Sequence, residues 1–276
     1  MKNILLLTDF SECSINAMHY ALQLLKGNVC NFYVLHVQRS SSYASDDLIL
    51  SRDSIYDAII KKSKLKLMKL VNKFKNEIED ENYIYKIVVD FDSLTDAIKQ
   101  MKASKEIDLI VMGTNGVTGA KEVIFGSNTI NVIRKIDCST LVIPEEFEYR
   151  IPKEVLLPLD LNDSLSSSAF AHVLEFVNRF SNALHFLRIN PSNEDSEEER
   201  IDNEQLNYSL KEINHKYHSI KSVPMHYAVS TYVQTNAIDI LILLVQKETL
   251  FERFFTGSST TQISNKIDVP LLIFHS

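Results

Sequence analysis

The chain has 276 residues, 45% of them hydrophobic, with 29 basic against 36 acidic side chains and a formal net charge of −7. That composition buries a sizeable core, suits two domains of ordinary size, and offers no basic field for nucleic acid. No run of eighteen uncharged apolar residues is present to span a membrane, and Cys13, Cys30 and Cys138 are too scattered for a disulfide framework or a zinc site.

The opening MKNILLLTDFSE meets charge too early for a secretory signal, so a cytoplasmic location with reduced thiols is expected. From there, short β-branched runs alternate with longer helical segments, a pattern that predicts right-handed βαβ units and parallel sheets. Strands are expected at NILLLT (3–8), NFYVLHV (31–37), YIYKIVV (83–89), DLIVMG (108–113) and STLVIP (139–144). Helices between them start near Ser14, Ser51, Ser93 and Ser127. The run KKSKLKLMKLVNKFK (61–75) carries Leu65, Met68, Val71 and Phe74 at helical spacing, which reads as a core-facing stripe under a lysine-rich outer face. His36, inside a strand, reads as a hydrogen-bonded interior residue.

A linker, PEEFEYRIP (144–152), then leads into a second pass of the same plan. KEVLLPLD (153–160) repeats KNILLLTD (2–9), and the last segment from Ile238 follows the one from Ile107 without a gap. Self-similarity on this scale implies duplication. The expected architecture is α/β: two tandem doubly wound, Rossmann-like domains, 1–146 and 152–276, each a five-stranded parallel sheet of order 3-2-1-4-5 with helices on both faces. The second copy reads thinner, with MHYAVSTYVQTNAID leaving less room for a helix before the fourth strand than VVDFDSLTDAIKQMKASKEID does. The acidic excess gathers in SNEDSEEER (192–200), a solvated loop or a partner-docking segment.

Four of the six glycines fall in one stretch, GTNGVTGAKEVIFGS (113–127). Glycine is costly in ordered chain, so a concentration marks positive φ or close approach to a ligand. Neither a Walker A lysine nor a G-x-G-x-x-G after the first strand occurs. Instead Gly113, Gly116 and Gly126-Ser127 run from the end of the fourth strand to the start of the next helix. With the expected strand order, a crevice opens there between the first and fourth strands, with Asp9 on one lip and Gly113 on the other. The amides of Ser127, Asn128 and Thr129 form a helix N-terminus able to take phosphate, and the Ser127 and Thr129 hydroxyls add donors. Asp9 and Ser11 are alternative caps of the first helix, so Asp9 reads equally as a structural or a binding group.

ILLLTDFSECS, the LHV at 35–37, DLIVMGTNG (108–116) and FGSNTINVIRKIDCSTLVIP (125–144) together resemble the universal stress proteins in their tandem form. The family's nucleotide-binding members share G-x-x-G, nine residues, G-[ST], a spacing met here without adjustment. The resemblance implies ATP, or a related adenine nucleotide, in the first domain. Asp9 would lie near the adenosine and the Val37 main chain would meet the adenine. Met112 and Gly113 would line the ribose and phosphate side, and Gly116, Gly126, Ser127 and Asn128 would hold the phosphates. Asn115 stands where many relatives carry a basic residue. Lys121 is a replacement for that charge, and Mg2+ would carry more of the load.

The second copy is an internal comparison. Leu244 and Lys247 replace Gly113 and Gly116, while Gly257, Ser258 and Asp160 match Gly126, Ser127 and Asp9. On that basis the fold needs the last glycine, and Gly113 and Gly116 are explained by a ligand. The second domain then becomes a non-binding partner, and the resemblance, to a family whose domains pair through their final strands, implies contact through STLVIP and VPLLIF, with a homodimer as a further option. No G-x-S-x-G elbow or H-E-x-x-H motif is present, and His215, His218 and His226 read as ordinary histidines on or near a helix. No catalytic residue is therefore expected. The functions left open are an adenine-nucleotide-binding stress protein with an unidentified protein partner, a scaffold without nucleotide, and a slow ATPase with Asp9 its only nameable base.

Overall fold

The computed structural model describes residues 1–38, 52–79, 82–114, 126–160, 163, 165, 167–190, 197–210, 213–245 and 268–275. The first half runs β1 (Lys2–Leu7), α1 (Glu12–Leu24), β2 (Cys30–Val37), α2 (Arg52–Glu77), β3 (Tyr83–Asp90), α3 (Leu94–Lys105), β4 (Leu109–Thr114), α4 (Ser127–Lys135) and β5 (Thr140–Pro144). The second half runs β6 (Glu154–Leu159), α5 (Ser168–Phe180), β7 (Ala183–Asn190), α6 (Glu197–Ser209), β8 (His215–Lys221), α7 (Met225–Thr235), β9 (Ile240–Val245) and β10 (Leu271–His275).

All ten strands join one sheet of order β3-β2-β1-β4-β5-β10-β9-β6-β7-β8. Each half has the doubly wound order 3-2-1-4-5, and the halves merge where β5 and β10 pair antiparallel. Leu141 pairs there with Leu272, its own counterpart in the repeat, so a local two-fold axis passes through the seam.

The strands lack polar alternation because helices cover both faces. Ile4, Leu6, Phe32 and Val34 pack under α1 and α2, while Leu5, Leu7, Tyr33 and Leu35 pack with α3 and α4. The same division continues in the second half, with α5 and α6 on the first face and α7 on the other. Ser11 and Ser93 cap α1 and α3 by accepting the Ser14 and Asp96 amides, so α1 begins before Ser14. The three cysteines are free and buried. Among the described residues no helix is long and apolar enough to cross a membrane.

Three local expectations are corrected. On α2 the buried stripe is Leu67, Leu70, Val71 and Phe74, while Leu65 and Met68 are each 50% exposed. Two apolar sets satisfied helical spacing, and the one continuing to Ile78 meets the sheet. His215 and His218 lie on strand β8, where β7 supplies the backbone partners. The segment after Pro224 forms a helix, α7, of 11 residues against 12 in α3, one residue shorter in line with the lesser room expected there. The acidic run is not all loop, since α6 starts at Glu197; residues 192–196 lie outside the described chain.

Candidate functional site

β1 stops at Leu7, level with Leu35 on β2. β2 continues to Val37, and β4, whose Val111 sits beside Leu6, continues through Met112 and Gly113 to Thr114. A crevice is thereby left beyond the carboxyl end of β1, flanked by the tips of two longer strands. This is where an open α/β sheet takes its ligands. Val37 is half-buried and Met112 is buried, so the walls are apolar.

Residues 8–11 turn the chain sharply across this crevice into α1. Phe10 holds a left-handed backbone, φ 68°, a conformation unfavourable for a bulky residue. It is fixed from both sides: its amide donates to Thr8 Oγ1 at 3.0 Å, and its ring lies 4.5 Å from that of His36. His36 Nδ1 in turn bonds the Thr8 carbonyl at 2.9 Å, as befits the interior residue expected there. The Asp9 side chain is exposed and accepts the Ser11 amide at 3.0 Å and the Ser11 hydroxyl at 2.5 Å. Capping thus falls to Ser11, and Asp9 orients the cap. Partial burial opposes ionisation of Asp9, but the Ser11 hydroxyl and amide outweigh it and hold the carboxyl below its ordinary value. The crevice therefore carries a fixed negative charge at neutral pH.

The two described glycines of the 113–127 stretch exchange their expected roles. A Cβ on Gly113 would collide with Cys13 Sγ and come within 2.7 Å of Cys13 O and 2.8 Å of Cys13 C. Gly113 is therefore required by the packing of α1 on β4, and its presence needs no ligand. Gly126 is the reverse case. It is the N-cap of α4 with φ −61° and no side-chain cap, and a Cβ there would meet nothing among the described residues within 4 Å. Positive φ and crowding are both absent. What Gly126 leaves is open space before a helix N-terminus, where Ser127 and Asn128 are exposed. Thr129 is buried, 3% exposed, so its amide belongs to that terminus while its side chain belongs to the interior.

Asn115, Gly116, Gly119 and Lys121 lie outside the described residues, as do Lys247, Gly257 and Ser258. Sequence reasoning passed over Thr114. Its hydroxyl is buried at the tip of β4 and has no hydrogen-bond partner among the described residues. The available signal was its place between Gly113 and Asn115. Cys13, beside the crevice, is not a nucleophile: burial pushes its thiol up to about 12.

The second half closes the equivalent place. The register sets Leu7 against Leu35 and Pro158 against Leu187, so Arg188 occupies the position of His36. Arg188 is fully buried and grips Asp202 of α6 with two bonds, Nε to Oδ2 at 2.7 Å and Nη2 to Oδ1 at 2.6 Å. It also donates to the carbonyls of Asp160 and Asp163, and Tyr217 donates to Asp202 Oδ2 at 2.8 Å. Asp160, the counterpart of exposed Asp9, is 5% exposed, and Leu244, the counterpart of Gly113, is wholly buried. Burial pushes the Asp163 carboxyl up to about 7, although the Asp160 amide bonds it at 2.8 Å.

Comparison with known proteins agrees with this organisation. The model of the Universal stress protein family matches residues 1–144. Universal stress protein Slr1230 of Synechocystis sp. is 25% identical over 309 aligned residues, spanning 99% of this chain and 100% of the relative. Universal stress protein MJ0577 of Methanocaldococcus jannaschii is 29% identical over 154 residues, 51% of this chain and 94% of its own. Among solved structures, a universal stress protein from Archaeoglobus fulgidus shares the fold with a TM-score of 0.72 at 17% identity, over 99% of this chain and 98% of that one. The match to the family model spans more than half of the 276 residues, and the chain belongs to the universal stress protein family.

Proposed function

We propose that the first half binds an adenine nucleotide, with ATP the leading candidate, in the crevice beyond β1. In this reading residues 1–146 form the binding domain, and 152–276 form a non-binding domain paired with it through β5 and β10. The observation that carries it is the approach to α4: among the described residues nothing requires Gly126 to be glycine, yet it stands before the first amides of a helix that has no side-chain cap. Gly113 does not count towards a ligand, because Cys13 accounts for it.

The residues that would hold the nucleotide are Asp9 beside the adenosine, the Val37 main chain at the adenine, Met112 and Gly113 along the ribose, and Gly116, Gly126, Ser127 and Asn128 at the phosphates. Asn115 and Thr129 stand in the same two segments, and Thr114 adds a buried hydroxyl without a partner among the described residues. Mg2+ would accompany the triphosphate, supplying charge neutralisation through its water shell. Asp9 stays ionised and orients Ser11, so it is suited to a binding role more than to taking up a proton. The protein then acts in the cytoplasm as a stress or signalling factor that presents its nucleotide state to a protein partner.

Denaturing the purified protein and chromatographing the released small molecules is the test. Adenine nucleotide released from wild type and absent from Gly126→Val is the expected outcome. Nucleotide retained by Gly126→Val removes the proposed site, and none released from wild type, with no ATP-induced rise in melting temperature in Mg2+, removes the function.

A further inference from the structure

The two-fold axis at the β5–β10 seam generates two related clefts on the face that carries α1 and α5, and one of them is filled by the linker. There Phe147 and Tyr149 pack on Tyr20 of α1, with ring centroids 6.0 and 5.2 Å away. Asn16 of α1 donates to the Phe147 carbonyl at 3.0 Å. Arg150 ends the segment by meeting the Asp239 carboxylate at 2.6 Å and the Ile238 carbonyl at 3.3 Å. Under this cover Tyr20 is 1% and Asp239 8% exposed.

The related cleft is open. α1 and α5 are both thirteen residues long, so His172 and Phe176 stand where Asn16 and Tyr20 stand. β4 and β9 match from Leu109 and Ile240 onward, which makes Asp108 the counterpart of Asp239. These three residues line a cavity of about 260 Å3 floored by Leu141, Leu272 and Phe274. It lies at the amino ends of β1 and β4, away from the crevice beyond β1. Phe176 is only half-buried and Asp108 is exposed.

The electrostatics follow the filled cleft closely. Asp239 Oδ2 accepts the Lys153 and Glu154 amides and its Oδ1 accepts from Arg150 Nε; Asp108 Oδ2 accepts the Asn3 amide at 2.6 Å. Among the described residues no cation pairs with Asp108. Lys2 at the rim is held by Glu175 at 3.5 Å, and Arg179 donates to Asn28 and lies over the Phe180 ring. The site thus offers an apolar floor, a half-exposed aromatic wall and one carboxylate without a counter-charge. Aromatic and arginine side chains are the anchors that such a surface rewards.

We propose that this cleft docks an extended segment of a partner protein with the chemistry of the linker itself: two aromatic side chains one residue apart, followed by an arginine that pairs with Asp108. The proposal is independent of nucleotide binding. The probe is a terminally capped peptide of residues 145–152 of this chain, EEFEYRIP, titrated into the full protein by calorimetry. Saturable micromolar binding is expected, weakened about tenfold or more by Asp108→Asn or by glutamine in place of the peptide's arginine. Ser139→Phe, which fills the cleft, abolishes it. Circular dichroism checks that both variants fold; if Ser139→Phe does not, Asp108→Asn and the altered peptide decide. No saturable binding up to millimolar peptide overturns the proposal. So does binding indifferent to Asp108→Asn and to loss of the arginine, which would locate the peptide elsewhere.

Discussion

At the carboxyl end of β1 the first half leaves Asp9 exposed and His36 half-buried, while at the same place on β6 the second half buries Asp160 and Arg188. The two strands stand in the same register with their neighbours, so the contrast is one of filling and not of fold. A crevice meant to stay open keeps its charge at the rim, where water or a ligand solvates it. One that is closed from within must desolvate a guanidinium, which is tolerable only with a carboxylate and carbonyls in good geometry. Arg188 has both, and in meeting them it ties α6 and the β6–α5 connection to β7.

The largest effect that would break this contrast comes from removing half of the buried pair. Asp202→Ala should cost about 3–5 kcal/mol in urea unfolding, because Arg188 is left charged and unpaired. Arg188→Met combined with Asp202→Leu should lose far less, since the charge and its partner leave together. A double variant as unstable as Asp202→Ala would mean that the pair is a net source of stability and not a closure.

In the first half, Gly113→Ala should cost about 1–3 kcal/mol by forcing α1 off β4. Adding Cys13→Ala should return part of that loss, because the Cys13 carbonyl and its carbon, 2.7 and 2.8 Å from the new Cβ, remain. Full recovery would show that only the thiol is in the way.

Acid and base should separate the halves as well. The folded pKa of Asp163, about 7, lies above the ordinary 3.8, so the folded state binds its proton more tightly than the unfolded chain does. This group lowers stability as pH rises between those values, at up to about 1.4 kcal/mol per unit, and adds nothing further above them. Asp163→Asn should raise the melting temperature at pH 8 and leave it nearly unchanged below pH 4. Asp9 has the opposite sign: its lowered pKa gives a stabilising contribution present above 3.8 and lost as pH falls through its folded value. Asp9→Asn should remove that acid-side slope alone.

The smallest effect on stability belongs to Gly126→Ser. None of the described residues crowds the position and φ is ordinary, so the melting temperature should hold or rise slightly as a side-chain cap is gained. A marked loss would restore an architectural role to this glycine.

Much of the fold was legible in the residues. The first-half strands begin and end within one residue of the apolar runs that announced them, because a strand covered on both faces has no polar interruption to blur its limits. The pairing of β5 with β10 was implied by the resemblance to a family whose domains meet through their final strands, and the structure shows that this pairing is antiparallel. The candidate site was read less well, and for a physical reason. Leu244 in place of Gly113 suggested that this glycine was free to go. Yet four residues join β1 to α1 and eight join β6 to α5, so the second helix has slack to make room for a leucine. Comparing copies tests a residue's necessity only where the neighbours are held alike. Arg188 was overlooked because an arginine at the end of an apolar strand gives no periodic signal; its meaning depends on Asp202, which arrives from a separate helix.

The central claim is that one half is open to nucleotide and the other closed. Calorimetric titration of ATP with Mg2+ into the full chain tests it through stoichiometry. One nucleotide per chain, lost in Gly126→Val, is the predicted result. Two per chain, none, or one that persists in Gly126→Val would contradict it.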